Sequence, residues 1–176
     1  EVGTEVDSSS NNGINGNNKY WNYVKFSEPI TTKELQMKIQ RNGSGTNGVG
    51  ISEWEAFGYP TIASGTNVAG EADITASYTN TTLPDNAVAA INDGKMAEGS
   101  NTTWNTWAQS GDVEYPVTVD LDWGNTTYDI SSVRVMWWSD NGGVQFPSDC
   151  KLQWYNERSK EWTDITELVD ETGADT

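Results

Sequence analysis

The stretch GISEWEAFGYP, residues 50–60, reads as the closing strand of a β-domain followed by an exit linker, yet it lies only a third of the way along a chain of 176 residues. Strand patterns extend on both sides of it. Upstream, KELQMKIQ alternates Leu35, Met37 and Ile39 against Glu34, Gln36, Lys38 and Gln40, a half-buried strand of period two. Tyr23 to Phe26 does the same in a shorter run. Downstream, Val117, Val119 and Leu121 share one face, with Thr118, Asp120 and Asp122 on the other. Val133, Val135 and Trp137 form a further inward set, and Leu152 with Trp154 another. Gly- and Asn-rich clusters (RNGSGTNG, SDNGG, NERSKEW) supply the turns between them. Only PDNAVAAINDG reads as helical, with Asp85 as cap and Gly94 as terminator. About eight strands and one short helix predict an all-β sandwich.

Composition narrows the class. Nine Trp and an abundance of Gly, Asn, Ser and Thr suit a turn-rich β-fold in which some indoles serve more than packing. A formal charge of −16 argues against nucleic acid as a partner. No apolar run approaches the about 18 residues of a membrane helix, so no membrane insertion is expected. The single cysteine, Cys150, excludes an intrachain disulfide and reads as a small buried hydrophobe. No leader pattern opens the chain, so the expectation is a module excised from something longer. Residues 7–18 read as a long polar loop, and residues 59–70 as a linker between two pieces that each lack strands to close a core.

The second piece, with ITASYTN, AVAAINDGK, NTWAQSGDVEYPVTVDLDW, ISSVRVMWWSDNGGVQFPSDCKLQWYN and EWTDI, resembles the first two thirds of a galactose-binding-like module. This is the discoidin or coagulation-factor C-terminal type of jelly roll, common as a carbohydrate-binding module in bacterial glycan-degrading enzymes. The first piece, NKYWNYVKFSEPITTKELQMKIQ through GISEWEAFG, resembles the last third of the same module. The family's ending thus precedes its beginning, which answers the oddity of residues 50–60. Two explanations follow. In the favoured one the chain is a circular permutant, with residues 1–58 supplying the C-terminal strands, 59–70 bridging the usual termini, and 71–176 supplying the rest of one composite domain. In the other the chain holds parts of two tandem modules, and two copies could exchange halves as a domain-swapped dimer rather than stay monomeric.

The resemblance implies a structural calcium held by Asp93, Glu53, Ala90, Lys95 and Ser100, partly through backbone carbonyls, a donor set of hard oxygens that suits the ion. It also implies a carbohydrate ligand, bound by aromatic stacking and side-chain hydrogen bonds at loops. The candidates are Trp138, Asp140 and Asn141 at one strand end, Trp104, Trp107 and Tyr78 in the early loops, and Arg41, Asn42 and Trp21. Trp54, Trp123, Trp154 and Trp162 read as packing residues, and alternation sends one of Trp137 and Trp138 inward. Independent catalysis is not expected. The chain has no His, and the Glu53 and Glu55 pair sits on a strand that offers no cleft. The expected function is therefore a non-catalytic carbohydrate-binding module for galactoside- or arabinoside-type glycans. It would position a larger secreted glycoside hydrolase, in contact with that enzyme's other domains, outside the cell or on a bacterial surface. The alternative is a structural spacer or adhesive module without a sugar site.

Overall fold

The structure is a computed structural model and describes residues 21–59, 65–96, 99, 101–110, 113–166 and 168–169. Twelve strands are present among them: β1 (Trp21–Thr32), β2 (Glu34–Gln40), β3 (Gly48–Tyr59), β4 (Thr66–Asn67), β5 (Asp73–Ala76), β6 (Trp104–Asn105), β7 (Val117–Asp122), β8 (Tyr128–Trp138), β9 (Val144–Gln145), β10 (Asp149–Asn156), β11 (Glu161–Asp164) and β12 (Leu168–Val169). They form two sheets. One runs β12-β1-β8-β3-β4, with β6 and β9 also paired to β3; the other runs β11-β10-β2-β7-β5. All pairings are antiparallel except β3 with β9. The two inner faces contribute to one apolar cluster, the arrangement of a sandwich.

The alternation read in β2 has a direct counterpart in the core. Leu35, Met37 and Ile39 are each no more than 1% exposed. They face Leu121, Val119 and Val117 on β7, and Trp154, Leu152 and Cys150 on β10, so each makes a three-strand apolar rung. Cys150 is buried in its rung, and burial pushes its thiol pKa up, which keeps it an inert packing group. On the outer face, Gln36 donates to Asp120 at 2.7 Å and Gln153 donates to Asp164, while Gln153 Oε1 is buried with no partner among the described residues.

In β3, period two alone cannot bury both Ile51 and Trp54, which lie three residues apart. A register shift resolves this. Ile51 is opposite Trp137 and Glu53 is opposite Met136, leaving Ser52 as the extra residue of a bulge. Ile51 and Trp54 then both reach the core, at 1% and 0% exposure. The same slip turns Glu53 to the opposite face of the sheet.

Strands on either side of residues 60–64 interleave. β1 lies between β12 and β8, β2 between β10 and β7, and β3 against β8. The segment expected as a linker is partly structured: Thr66–Asn67 pairs with β3, and the Asn67 side chain accepts from the amides of Ala56 and Ala69. Residues 69–71 form a 3₁₀ turn, while 60–64 lie outside the described residues, as does the 7–18 loop. The expected helix is also only a 3₁₀ turn, Ala87–Ile91, and Asn86 rather than Asp85 precedes it without a side-chain cap bond. Five residues hold Ala87 and Ile91 in the core, too few to nucleate an α-helix. β1 extends well beyond residues 23–26 because β8 gives it a long partner on both sides of a second register shift.

Leu35→Ala is expected to lower unfolding free energy by about 2–5 kcal/mol, the range for truncating a fully buried Leu. A urea titration checks it, with an unchanged slope showing that the loss is one of stability alone.

Candidate functional site

Backbone register gathers the loops that carry the candidate binding residues. The end of β2, the start of β3, the start of β7, the end of β8 and the start of β10 lie at one end of the sandwich, as their pairings require. Hydrogen bonds stitch these loops together. The Gly48 amide donates to the Gly143 carbonyl at 2.7 Å, and the Ser148 hydroxyl donates to the Arg41 carbonyl at 2.9 Å. The Thr106 amide donates to the Val49 carbonyl at 2.9 Å, and the Asn80 side chain donates to that of Asn105 at 2.9 Å.

Trp107 is the half-exposed indole of this apex, and two glycines hold it in place. A Cβ on Gly143 would sit 2.4 Å from Trp107 Cδ1 and 2.5 Å from its Nε1. A Cβ on Gly48 would sit 2.3 Å from the Trp107 amide nitrogen. Only glycine permits both approaches, so the indole lies against Gly143 and its backbone against Gly48, and the residue keeps intermediate exposure. The Asn105 side chain accepts from the Trp107 amide at 3.2 Å and fixes the loop from within.

Beside it, the Arg41 guanidinium lies 4.9 Å from the centre of the Tyr115 ring. The Tyr115 hydroxyl shares a 2.6 Å hydrogen bond with the Thr106 hydroxyl. Burial pushes the Tyr115 pKa up, so the phenol stays neutral and able to donate. Asp140 and Asn141 are exposed, Tyr78 is half-buried and Asn42 is exposed. Asp140 is committed to its own turn, accepting from the amides of Gly142 and Val144 at 2.7 and 2.9 Å.

Three tryptophan expectations change. Trp104 is 0% exposed and its indole donates to the Thr79 hydroxyl at 3.0 Å, so it is a core residue and not a stacking platform. Trp138 is buried at 9% exposure, and its Cε3 would lie 3.0 Å from a Cβ on Gly50. Alternation was expected to leave one of Trp137 and Trp138 outward, but both are covered. β9 and its flanking turn pair with the start of β3 and fold over the end of β8, so both faces are occupied there. Trp21 is half-buried, with the Arg134 guanidinium 4.1 Å from its ring centre, so a cation already occupies one face. Tyr115, Thr106, Gly48 and Gly143 were not singled out from sequence. The glycines carried only a turn signal, and nothing local shows that two separate turns close on one indole.

A second constellation lies beside the middle of β3. Glu53 is 1% exposed, and its Oε1 accepts from the Gly94 amide at 3.2 Å. Its Oε2 is buried with no hydrogen-bond partner. Burial is the main cause that pushes the Glu53 pKa up to about 8; the amides of Gly94 and Lys95 oppose this, and the charges of Asp93 and Glu55 add to it. The 92–95 turn is itself anchored, with the Asn92 side chain donating to the carbonyls of Ala69 and Ala72 at 2.7 and 3.1 Å. Thus Glu53, Asp93 and Lys95 are brought together from distant parts of the chain. Asp93 is exposed and accepts from the Lys95 amide at 2.8 Å; Ala90 lies in the 3₁₀ turn, and Ser100 is outside the described residues. Among the described residues no three His, Cys, Asp or Glu side chains cluster as a metal site. An orphaned carboxylate oxygen facing a polar turn nevertheless fits a calcium ion, which accepts backbone carbonyls and water as its other ligands.

No protein-family model matches the chain, nor does any curated protein or solved structure.

The Glu53 carboxyl carries a pH signature. With its pKa raised to about 8, the folded chain keeps a proton that the unfolded chain releases near the usual carboxylate range. Stability therefore falls as pH rises from about 4.5 to about 8 and levels off above that. Chemical denaturation at a series of pH values in the presence of a chelator checks this, and Glu53→Gln is expected to flatten the slope in that window.

Proposed function

We propose that the protein is a non-catalytic carbohydrate-binding module whose ligand seats on Trp107 at the apex. The observation that carries this reading is the partly exposed Trp107, its indole held against Gly143 and its backbone against Gly48, bordered by loops that bring Arg41, Tyr115, Asp140 and Asn141. A sugar's apolar face stacks on such a ring, and its hydroxyls hydrogen-bond to the charged and amide groups at the rim. Pre-ordering of the ring lowers the entropy lost on binding. A small exposed saccharide buries little area, so one site alone should bind roughly in the millimolar to micromolar range.

The state of the two strand carboxylates supports a non-catalytic role. Glu53 lies buried under the 92–95 turn, and Glu55 is paired with Arg134, so neither opens on a substrate cleft. The galactose-binding-like jelly roll, permuted in order, remains our reading of the sandwich. The module's place would be in a secreted or surface-attached glycan-degrading enzyme, contacting that enzyme's other domains, with galactosides or arabinosides as targets. The burial of Trp104 and Trp138 favours a second reading, a structural spacer, because two expected platforms serve packing instead.

Calcium is part of the proposal. Glu53 Oε2 would be its anchoring donor, with Asp93 and the carbonyls of the 90–95 segment as partners. The ion would supply positive charge to a buried carboxylate that otherwise holds a proton, and so stiffen the turn against β3. Glu53 and the Asn92 anchor are what this chain contributes to that end.

A glycan array with calcium present tests the binding reading. A defined signal from the native protein that disappears in a folded Trp107→Ala variant is the expected result. Silence across a broad array, from protein of native thermal stability, would sink it in favour of the spacer. Calcium is tested separately by thermal melts at mildly alkaline pH. Saturation at a hundredfold excess over Kd is expected to add about 2.7 kcal/mol to the native chain and nothing to Glu53→Gln. An equal shift in both proteins would remove Glu53 from the site.

A further inference from the structure

We infer that Asn42 is a site of spontaneous deamidation, set apart from the other Asn-Gly pairs of the described residues by a free backbone amide. Three such pairs occur there: Asn42-Gly43, Asn47-Gly48 and Asn141-Gly142. In each the following glycine carries no Cβ to hinder its own nitrogen, so sequence alone grades them as equals.

The reaction needs that nitrogen. The Gly43 amide, losing its proton, attacks Asn42 Cγ; the bond from Cγ to the side-chain nitrogen breaks, and ammonia leaves with the proton. The resulting five-membered succinimide takes up one water and opens at either carbonyl, giving aspartate or isoaspartate at the position. Water enters, ammonia departs, and nothing is oxidised or reduced.

Tertiary contacts distinguish the three nitrogens. The Gly48 amide donates to the Gly143 carbonyl at 2.7 Å, and the residue is wedged against the Trp107 backbone, so the Asn47 pair is held. The Gly142 amide donates to Asp140 Oδ1 at 2.7 Å, and the Asn141 amide donates to the Ser139 hydroxyl at 3.2 Å, so that pair is held at two points. The Gly43 amide has no such acceptor among the described residues, Asn42 and Gly43 are both exposed, and Gly43 takes φ +77°, with the Asn47 side chain as its near neighbour. A hydrogen bond that must break before attack slows the reaction by about tenfold, taking its typical net worth as the barrier added.

The product carries a new negative charge next to Arg41, and the isoaspartate form lengthens the backbone between β2 and β3 by one carbon. If the apex binds sugar as proposed above, ageing of the protein weakens that site.

Native protein held at mildly alkaline pH for days, then digested and sequenced by mass spectrometry, tests the inference. Asn42 is expected to convert about tenfold faster than Asn47 and Asn141, and the three rates should converge in concentrated urea. Asp140→Ala, which frees the Gly142 amide, should raise the rate at Asn141 toward that at Asn42, while Asn42→Gln should abolish the fast phase. Equal native rates, a lead for Asn47 or Asn141, or an Asn42 that reacts only in urea would overturn it. The mass measurement needs no ligand. Glycan binding by fresh protein reports separately on the apex reading, so either can fail without the other.

Discussion

The pairing of β3 with β8 is the constraint on which the rest of the molecule depends. β8 is flanked by β1 and β3, both drawn from the first 59 residues, so the seven-stranded sheet has no centre without them. The bulge at Ser52 within that pairing decides which side chains of β3 face the core. It sends Ile51 and Trp54 inward and leaves Glu53 opposite Met136 on the other face. A one-residue slip would exchange these sets, placing a carboxylate in the apolar interior and an indole outside, so burial enforces the register.

From that register the two constellations follow. At its first residues β3 carries Gly48, which admits the Trp107 backbone where a side chain would collide, and Gly50, which leaves room for the Trp138 ring. Close backbone approach here does what a large side chain does elsewhere: it immobilises an aromatic ring and leaves part of it in solvent. Further along, the same strand brings Glu53 under the 92–95 turn. A carboxyl with one oxygen unpaired in a dry setting is costly as an anion, which is why its pKa rises, and a cation or a proton relieves it equally in principle.

Much of the architecture could be read from local pattern. Alternation in residues 34–40, 117–122 and 133–137 marked strands and their inward faces, because apolar burial on one side of a pleated ribbon imposes a period of two. The packing role of Trp54 and Trp123 was legible for the same reason. The failures share a cause. Trp138 and Trp104 were expected at loops, but Trp104 pairs with Ile51 of β3 and donates to Thr79, and Trp138 packs against Gly50. The 3₁₀ turn at Ala87–Ile91 was expected as a helix capped by Asp85 and ended by Gly94, yet packing of Ala87 and Ile91 holds it to a single tight stretch.

The sequence by itself determined the all-β class, the inward faces of its regular strands and the acidic surface, since these depend on composition and on nearest-neighbour periodicity. Tertiary structure alone decided that Trp107 sits against Gly143 with part of it exposed, that Glu53 is buried with an oxygen unpaired, and which Asn-Gly amide is free. Each of those turns on contacts between residues some forty to a hundred positions apart in the chain or on the bond made by a single amide, and no local pattern encodes them.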